Sequence, residues 1–283
     1  MITRFAPSPT GPLHLGHAYS AMLAHDMASN ADGTFILRMD DIDRVRSKPE
    51  YEQQAIDDLR WLGLSWPEPI MKQSRSEPRF RAALQQLTAM DLLYPCSCSR
   101  ADIENAADAP QEGVPTHGPD GRIYPGTCRH RAMAEFREGD AIRLNMQKTI
   151  ARAAKLPSYT ETGARYEGQR NLDPQDLILT IGDVAVARRG MAAAYHLAVV
   201  VDDHSQGVTH VIRGEDLFDA TRIHVLLYQL LDLPIPIYHH HRLIRDDQGK
   251  RLAKRDDAQA IAKYRAEGAT PNDIRRMVGL PTV

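Results

Sequence analysis

The chain has 283 residues, enough for one large domain or two modest ones, and its 42% hydrophobic and 25% charged content is that of a globular protein. A net charge of −2 excludes a bulk polycation, so any nucleic-acid contact needs local basic patches. No apolar run approaches the ~20 residues that span a bilayer, Met1-Ile2-Thr3-Arg4 lacks the apolar stretch of a secretion signal, and three cysteines argue against a disulfide scaffold; a cytoplasmic, reducing location and no membrane partner are expected.

Ile2 to Ala6 reads as a short buried strand, and Pro7, Pro9, Gly11 and Pro12 force a turn after it. From Leu13 to about Ala31 the apolar spacing predicts a helix, capped by Ser8 or Thr10. His14 and His17 share one face at its start, where free N–H groups and the helix dipole favour anions. Gly16 between them is a poor helix former, which a flat ligand against the backbone would explain. Two surface histidines and an incidental glycine are the plain alternative. Asp32-Gly33 then turns into a strand, Thr34 to Met39, completing a βαβ unit with a parallel sheet. Asp40, Asp41 and Asp43 follow at the strand's C-terminal end, either to meet a cation or as a solvated loop balanced by Arg38, Arg44 and Arg46.

Lys48 to Leu62 is an amphipathic helix with Tyr51, Ala55, Leu59 and Leu62 inward, Trp61 and Trp66 are core residues, and Glu77 to Leu93 is a further helix. The texture then changes. Cys96, Cys98 and Cys128 fall in a segment rich in Pro, Gly, Asp and His with little apolar content. Thiolates are soft zinc ligands and a structural site needs four donors, the fourth being Tyr124, His130 or His117; ordinary reduced thiols are the alternative. Ala141 to Met146 and Val184 to Ala187 read as strands of the second half of the parallel sheet, with loosely patterned chain from Ile150 to Asp173. Ala192 to His204 is a helix carrying Tyr195, Thr209 to Arg213 a strand, Asp216 to Leu231 a helix and Ile235 to Tyr238 a strand. His239 to His241 read as strand and loop residues near a site. Arg242 to Arg255 is a loop with six cations and two anions, able to follow charge on a phosphate. Ala258 to Glu267 and Pro271 to Val278 are short helices, too small for a domain of their own.

His14-Leu15-Gly16-His17 resembles the HIGH signature of class I aminoacyl-tRNA synthetases, and Arg251-Leu252-Ala253-Lys254-Arg255 resembles their KMSKS signature, with Arg and Ala at its first Lys and its Ser. Arg4-Phe5-Ala6-Pro7-Ser8-Pro9-Thr10-Gly11, Leu37-Arg38-Met39-Asp40-Asp41-Ile42-Asp43 and His210-Val211-Ile212-Arg213-Gly214-Glu215-Asp216 are similar to stretches of the glutamyl subgroup. Only 28 residues follow Arg255, so the chain is expected to lack an anticodon-binding domain, as in the stand-alone glutamyl-queuosine tRNA(Asp) synthetase family. The resemblance implies an α/β fold: a Rossmann-type parallel sheet with helices on both faces, a zinc-binding insertion and a short helical C-terminal segment. Residues 1–95 and 136–238 would be the halves of the catalytic domain, 96–135 the insertion, and 239–283 the KMSKS-like loop and C-terminal helices.

It implies an ATP-dependent ligase that activates L-glutamate as glutamyl-adenylate and transfers it to queuosine in the anticodon of tRNA(Asp). Charging a tRNA 3′ end, or a non-catalytic nucleotide- or tRNA-binding module, are the alternatives. By the same resemblance Arg4, Phe5, Ala6, Pro7, Ser8, Asp40, Tyr195 and Arg213 would meet glutamate, with Arg4 and Arg213 facing carboxylate and Asp40 the amino group. Asp40 stands where the family has Glu. His14, Gly16, His17, Arg251 and Lys254 would hold ATP with its Mg²⁺, with His14, His17 and Lys254 catalytic. One structural Zn²⁺ would sit on Cys96, Cys98, Tyr124 and Cys128, with His130 as alternative fourth ligand.

Overall fold

In the computed structural model, which describes residues 1–107, 115–245 and 259–282, the chain opens with a strand–helix–strand unit. β1 (Ile2–Phe5) runs parallel to β2 (Thr34–Met39), with Arg4 opposite Ile36, and α1 (Leu15–Asn30) connects them. The prolines keep the chain irregular as far as His14, so α1 begins at Leu15 rather than Leu13. Its cap is the His14 imidazole, not Ser8 or Thr10. α2 (Pro49–Trp61) buries Ala55 and Leu59 as its spacing predicts, and β3 (Met71–Lys72) joins β2 in parallel. α3 (Glu77–Ala89) is shorter than expected. Asp91, with a φ of 58°, turns the chain away from the helix direction.

That turn leads into β4 (Leu93–Cys96), a strand the sequence reading divided between helix and cysteine segment. After α4 (Arg100–Ala107), a small hairpin joins β5 (His117–Gly118) to β6 (Gly121–Arg122). β7 (Ala141–Leu144) pairs antiparallel with β4, so the segment between them leaves and re-enters through neighbouring strands. α5 (Met146–Arg152), β8 (Ser158–Glu161), β9 (Gly168–Asn171) and a short turn, α6 (Pro174–Asp176), occupy the region of weak pattern. β10 (Ala185–Ala187) pairs antiparallel with β7. The expectation that β7 and β10 belong to the parallel sheet is therefore corrected: with β4 they form a separate three-stranded sheet. An apolar run specifies a buried strand but not its partner, and here the partner is the strand hidden after α3.

The parallel sheet resumes beyond α7 (Tyr195–Ser205). β11 (His210–Gly214) lies beside β1, where the Thr209 N–H donates to the Ile2 carbonyl at 3.0 Å. After α8 (Thr221–Leu230), β12 (Ile237–His241) pairs in parallel with β11 and β8, and β9 closes the edge antiparallel. β12 runs on to His241, so the three consecutive histidines are strand residues. Phe80, Leu87, Leu197, Val200, Ile223 and Leu227 form one apolar cluster, and Ala21, Met22, Leu59, Ile274 and Val278 belong to a second. The latter two residues come from α10 (Pro271–Val278), which follows α9 (Ile261–Ala266). Fully buried, such side chains contribute about 1.5–3 kcal/mol each. Arg275 adds a two-pronged pair to Asp26 at 2.8 and 2.7 Å. The C-terminal helices thus cover the first unit, α10 against α1 and α9 against α2. No helix among the described residues is long and apolar enough to cross a membrane.

Candidate active site

The C-terminal ends of β1, β2 and β11 and the first turns of α1 and α7 surround a cleft of about 350 Å³. This is where an open parallel sheet places ligands. Its lining includes Arg4, Phe5, Ala6, His14, Gly16, His17, Asp40, Tyr195 and Arg213. Pro7 and Ser8 do not line it. Pro7 is buried and its carbonyl accepts the Asp40 N–H at 3.0 Å, tying the end of β2 to the turn, while Ser8 is exposed.

The two histidines build the start of α1. The Gly16 N–H donates to His14 Nδ1 at 3.1 Å, and the His14 N–H donates to His17 Nδ1 at 3.2 Å. This is a capping box made of imidazoles, with the rings 3.8 Å apart. Because each Nδ1 accepts, each neutral ring carries its proton on Nε2. A Cβ at position 16 would lie 3.0 Å from His14 Cε1, so the glycine makes room first for the capping ring.

The floor is a buried charge cluster. Arg4 Nε donates to both carboxylate oxygens of Asp203 at 3.1 Å. Arg38 Nη1 donates to the same carboxylate at 2.6 Å, and its Nε to Asp40 at 2.7 Å. Burial raises the Asp40 carboxyl against the pull of Arg38, whereas Arg4 and Arg38 together hold Asp203 below the usual carboxylate range despite its burial. Arg213 differs. It is 6% exposed and donates to His240 Nε2, His224 Nδ1, the Thr221 hydroxyl and the Leu217 carbonyl. Among the described residues no carboxylate lies within 4.0 Å of it, so its charge is solvated by neutral groups. Tyr195, 39% exposed, stands edge-on to His224 with ring centroids 5.6 Å apart.

Sequence reasoning did not single out Asp203 or His224, and it read His239 to His241 only as strand and loop residues near a site, of which His240 meets Arg213. A trace of the first was visible in Val199-Val200-Val201-Asp202-Asp203, where carboxylates end an apolar run, but only the fold shows which arginines they meet. Arg251 and Lys254 lie outside the described residues. On either side of that segment, Ile244 lines the cleft, and Ala260 is bridged to His14.

A second cluster lies in the segment between β4 and β7. The Sγ atoms of Cys96, Cys98 and Cys128 lie within 4.8 Å of one another. Tyr124 Oη is 3.3 Å from Cys96 Sγ and 3.4 Å from Cys98 Sγ, and Cys98 and Cys128 are 3.5 Å apart. Donors about 2.0–2.3 Å from a tetrahedral zinc stand roughly 3.5–3.8 Å from each other, so the four groups fit such a site. Burial opposes ionisation of Cys128, but hydrogen bonds from Tyr124 and Ser97 bring its thiol down to about 6. His130 and His117 are exposed and stand apart from the group.

Residues 1–282 match the family described as tRNA synthetases class I (E and Q), catalytic domain. A glutamyl-Q tRNA(Asp) synthetase of Rhodobacter capsulatus is 58% identical over 283 residues, covering 99% of this chain and all of the relative. One from Symbiobacterium thermophilum is 43% identical over 279 residues, 96% of this chain and 83% of the relative. The crystal structure of glutamate-tRNA synthetase from Elizabethkingia anophelis superposes with a TM-score of 0.75 at 25% identity, covering 98% of this chain and 61% of that one. The chain thus spans about six-tenths of the length of that solved structure. With its cleft, its imidazole-capped helix and these relatives together, the chain belongs to the glutamyl-Q tRNA(Asp) synthetase family of class I tRNA synthetases.

Proposed function

We propose that this chain activates L-glutamate with ATP as glutamyl-adenylate and transfers the glutamyl group to the queuosine base in the anticodon of tRNA(Asp). Arg213 is the observation that carries the amino-acid half. A buried guanidinium without a carboxylate partner among the described residues is costly unless a ligand completes it, and a substrate carboxylate oxygen can accept the one N–H, on Nη1, that His240, His224, Leu217 and Thr221 leave over. Arg4, already anchored on Asp203, adds positive charge beside it, and Asp40 offers an acceptor for the α-amino group. Phe5, Ala6 and Tyr195 shape the pocket, and Pro7 contributes through its carbonyl, which holds the Asp40 N–H. That the relatives are glutamyl-Q tRNA(Asp) synthetases supports the acceptor.

In the first step a glutamate carboxylate oxygen bonds to the α-phosphorus of ATP, the α–β bridging bond breaks, and pyrophosphate leaves. His14 and His17 direct Nε2–H donors toward phosphate oxygens from a helix start whose dipole favours the same charge. Gly16 lets the nucleotide approach, and by the family resemblance Arg251 and Lys254, which lie outside the described residues, would meet the phosphates. Mg²⁺ bound with ATP would supply further counter-charge. In the second step a queuosine hydroxyl attacks the adenylate carbonyl, loses its proton, and AMP departs. Catalysis is positioning and electrostatics, without a covalent enzyme intermediate.

One Zn²⁺ would be held by Cys96, Cys98, Tyr124 and Cys128, stabilising a 96–135 insertion between catalytic halves 1–95 and 136–238, with 239–283 carrying the loop and the covering helices. Its chemistry there is structural. Cysteines free of disulfides suit a cytoplasmic site of action.

The test measures glutamate-dependent exchange of labelled pyrophosphate into ATP without tRNA, then transfer of labelled glutamate to tRNA(Asp) with and without queuosine. Exchange without tRNA and transfer only to the queuosine-containing tRNA are expected. No exchange by the zinc-loaded protein refutes the first half, and charging of tRNA(Glu) at its 3′ end refutes the second.

A further inference from the structure

Arg213 sits between two imidazole relays, and each ends at a carboxylate from a distant part of the chain. On one side Arg213 Nε donates to His240 Nε2 at 3.1 Å, and His240 Nδ1 lies 2.5 Å from Glu161 Oε2. On the other, Arg213 Nη1 lies 3.1 Å from His224 Nδ1, His224 Nε2 lies 2.9 Å from His196 Nδ1, and His196 Nε2 lies 3.3 Å from Asp120 Oδ1. His196 Nε2 is buried and makes no hydrogen bond of good geometry; Asp120 is the carboxylate at ion-pair distance.

The proton positions along the second relay follow from chemistry. A guanidinium only donates, so His224 Nδ1 must accept and its proton sits on Nε2. That proton goes to His196 Nδ1, which forces the His196 proton onto Nε2, facing Asp120. The opposite tautomers would set an N–H against the Arg213 N–H. We propose that Asp120 is a positioning residue for substrate carboxylate binding: facing the His196 Nε2–H, it anchors the far end of a relay whose tautomers Arg213 sets, and so holds the Arg213 guanidinium toward the cleft while leaving its charge unneutralised.

Asp120 is well placed for this. With Pro119 it forms the tip of the β5–β6 hairpin, a turn both residue types favour. The hairpin is seated closely: a Cβ on Gly118 would fall 2.2 Å from the Thr180 carbonyl oxygen. Arg188 Nη2 donates to the same Asp120 oxygen, Oδ1, at 3.4 Å. Burial and the Arg213 charge keep His224 well below the ordinary histidine range, which suits a neutral relay. A carboxylate in direct contact would instead pair with Arg213 and weaken its preference for a charged substrate. Two neutral rings of distance avoid that while transmitting orientation.

The inference rests on the proposed glutamate activation. Asp120→Ala is expected to raise the glutamate KM in pyrophosphate exchange about tenfold, as for loss of one charge-assisted hydrogen bond, with kcat and the ATP KM nearly unchanged. Asp120→Asn, whose amide oxygen still accepts from His196, should restore most of the loss. ¹⁵N imidazole spectra of the unaltered protein should show the Nε2–H tautomer at both His196 and His224, and Asp120→Ala should shift the His196 Nε2 resonance as its acceptor is lost. An Nδ1–H tautomer at either ring in the unaltered protein overturns the proposal whatever the variants do. So does an unchanged glutamate KM in Asp120→Ala, or an equal rise in the ATP KM. Failure of the unaltered protein to exchange at all strikes the activation reading instead, leaving the spectra to decide the relay.

Discussion

Replacing Asp203 with Asn tests the charge cluster beneath the cleft. The wild-type carboxylate serves two buried guanidinium groups: Arg4, 6% exposed, through both oxygens at 3.1 Å, and Arg38, fully buried, at 2.6 Å. Arg4, Arg38, Asp40 and Asp203 together are neutral. Asp203→Asn keeps the shape but leaves one uncompensated positive charge, with Asp40 the remaining counter-ion. Removing one partner of a buried pair costs about 3–5 kcal/mol. At about 2–4 °C per kcal/mol for a chain of this size, the melting temperature should fall by roughly 6–20 °C.

The pH dependence carries a sign. The folded pKa of Asp203 is lowered, so its contribution is present above the unfolded value, about 3.9. It is lost as pH falls through the folded value. Chemical denaturation of both proteins from pH 7 to pH 3 should give a constant difference down to about pH 5 that closes below pH 4. A difference under about 1 kcal/mol at pH 7, or one that persists undiminished at pH 3, would refute the assignment of Asp203 as the ionised counter-ion.

Gly16→Ala sets two effects against each other. Helix propensity improves by about 1 kcal/mol, while a Cβ 3.0 Å from His14 Cε1 pushes the capping ring aside. Stability within about 1 kcal/mol of wild type, with an ATP KM raised at least about tenfold, is expected in denaturation and pyrophosphate exchange; an unchanged ATP KM removes the capping box from nucleotide binding. For the cysteine cluster, metal analysis should find one zinc per chain, weakened by Tyr124→Phe and untouched by His130→Ala. The reverse pattern would move the fourth ligand to His130.

The turn after β1 was legible because Pro7, Pro9, Gly11 and Pro12 admit few conformations. The helix beyond it followed from its apolar spacing. The cluster of three cysteines, too, was visible as three soft donors in a segment poor in apolar residues. These are local properties, written in residue type and interval. Helix ends were less secure, because His14 as a cap depends on two imidazoles adopting one mutual arrangement, which no propensity encodes.

Partnership across the chain was decided by the fold alone. Ala141–Leu144 and Ala185–Ala187 are apolar runs that would suit either sheet, and β4, overlooked after α3, drew both into the antiparallel one. Arg38 read as a loop counter-ion; in the structure it is fully buried between Asp40 and Asp203, 165 positions apart from the latter. Three consecutive histidines were legible only as residues near a site; β12 is what turns His240 toward Arg213 and Glu161. Residue type and local spacing thus determined most of the helices, the first βαβ unit and the turn after β1. Which charges are paired, and that Arg213 meets no carboxylate among the described residues, depends on distances between remote segments, and packing alone sets those.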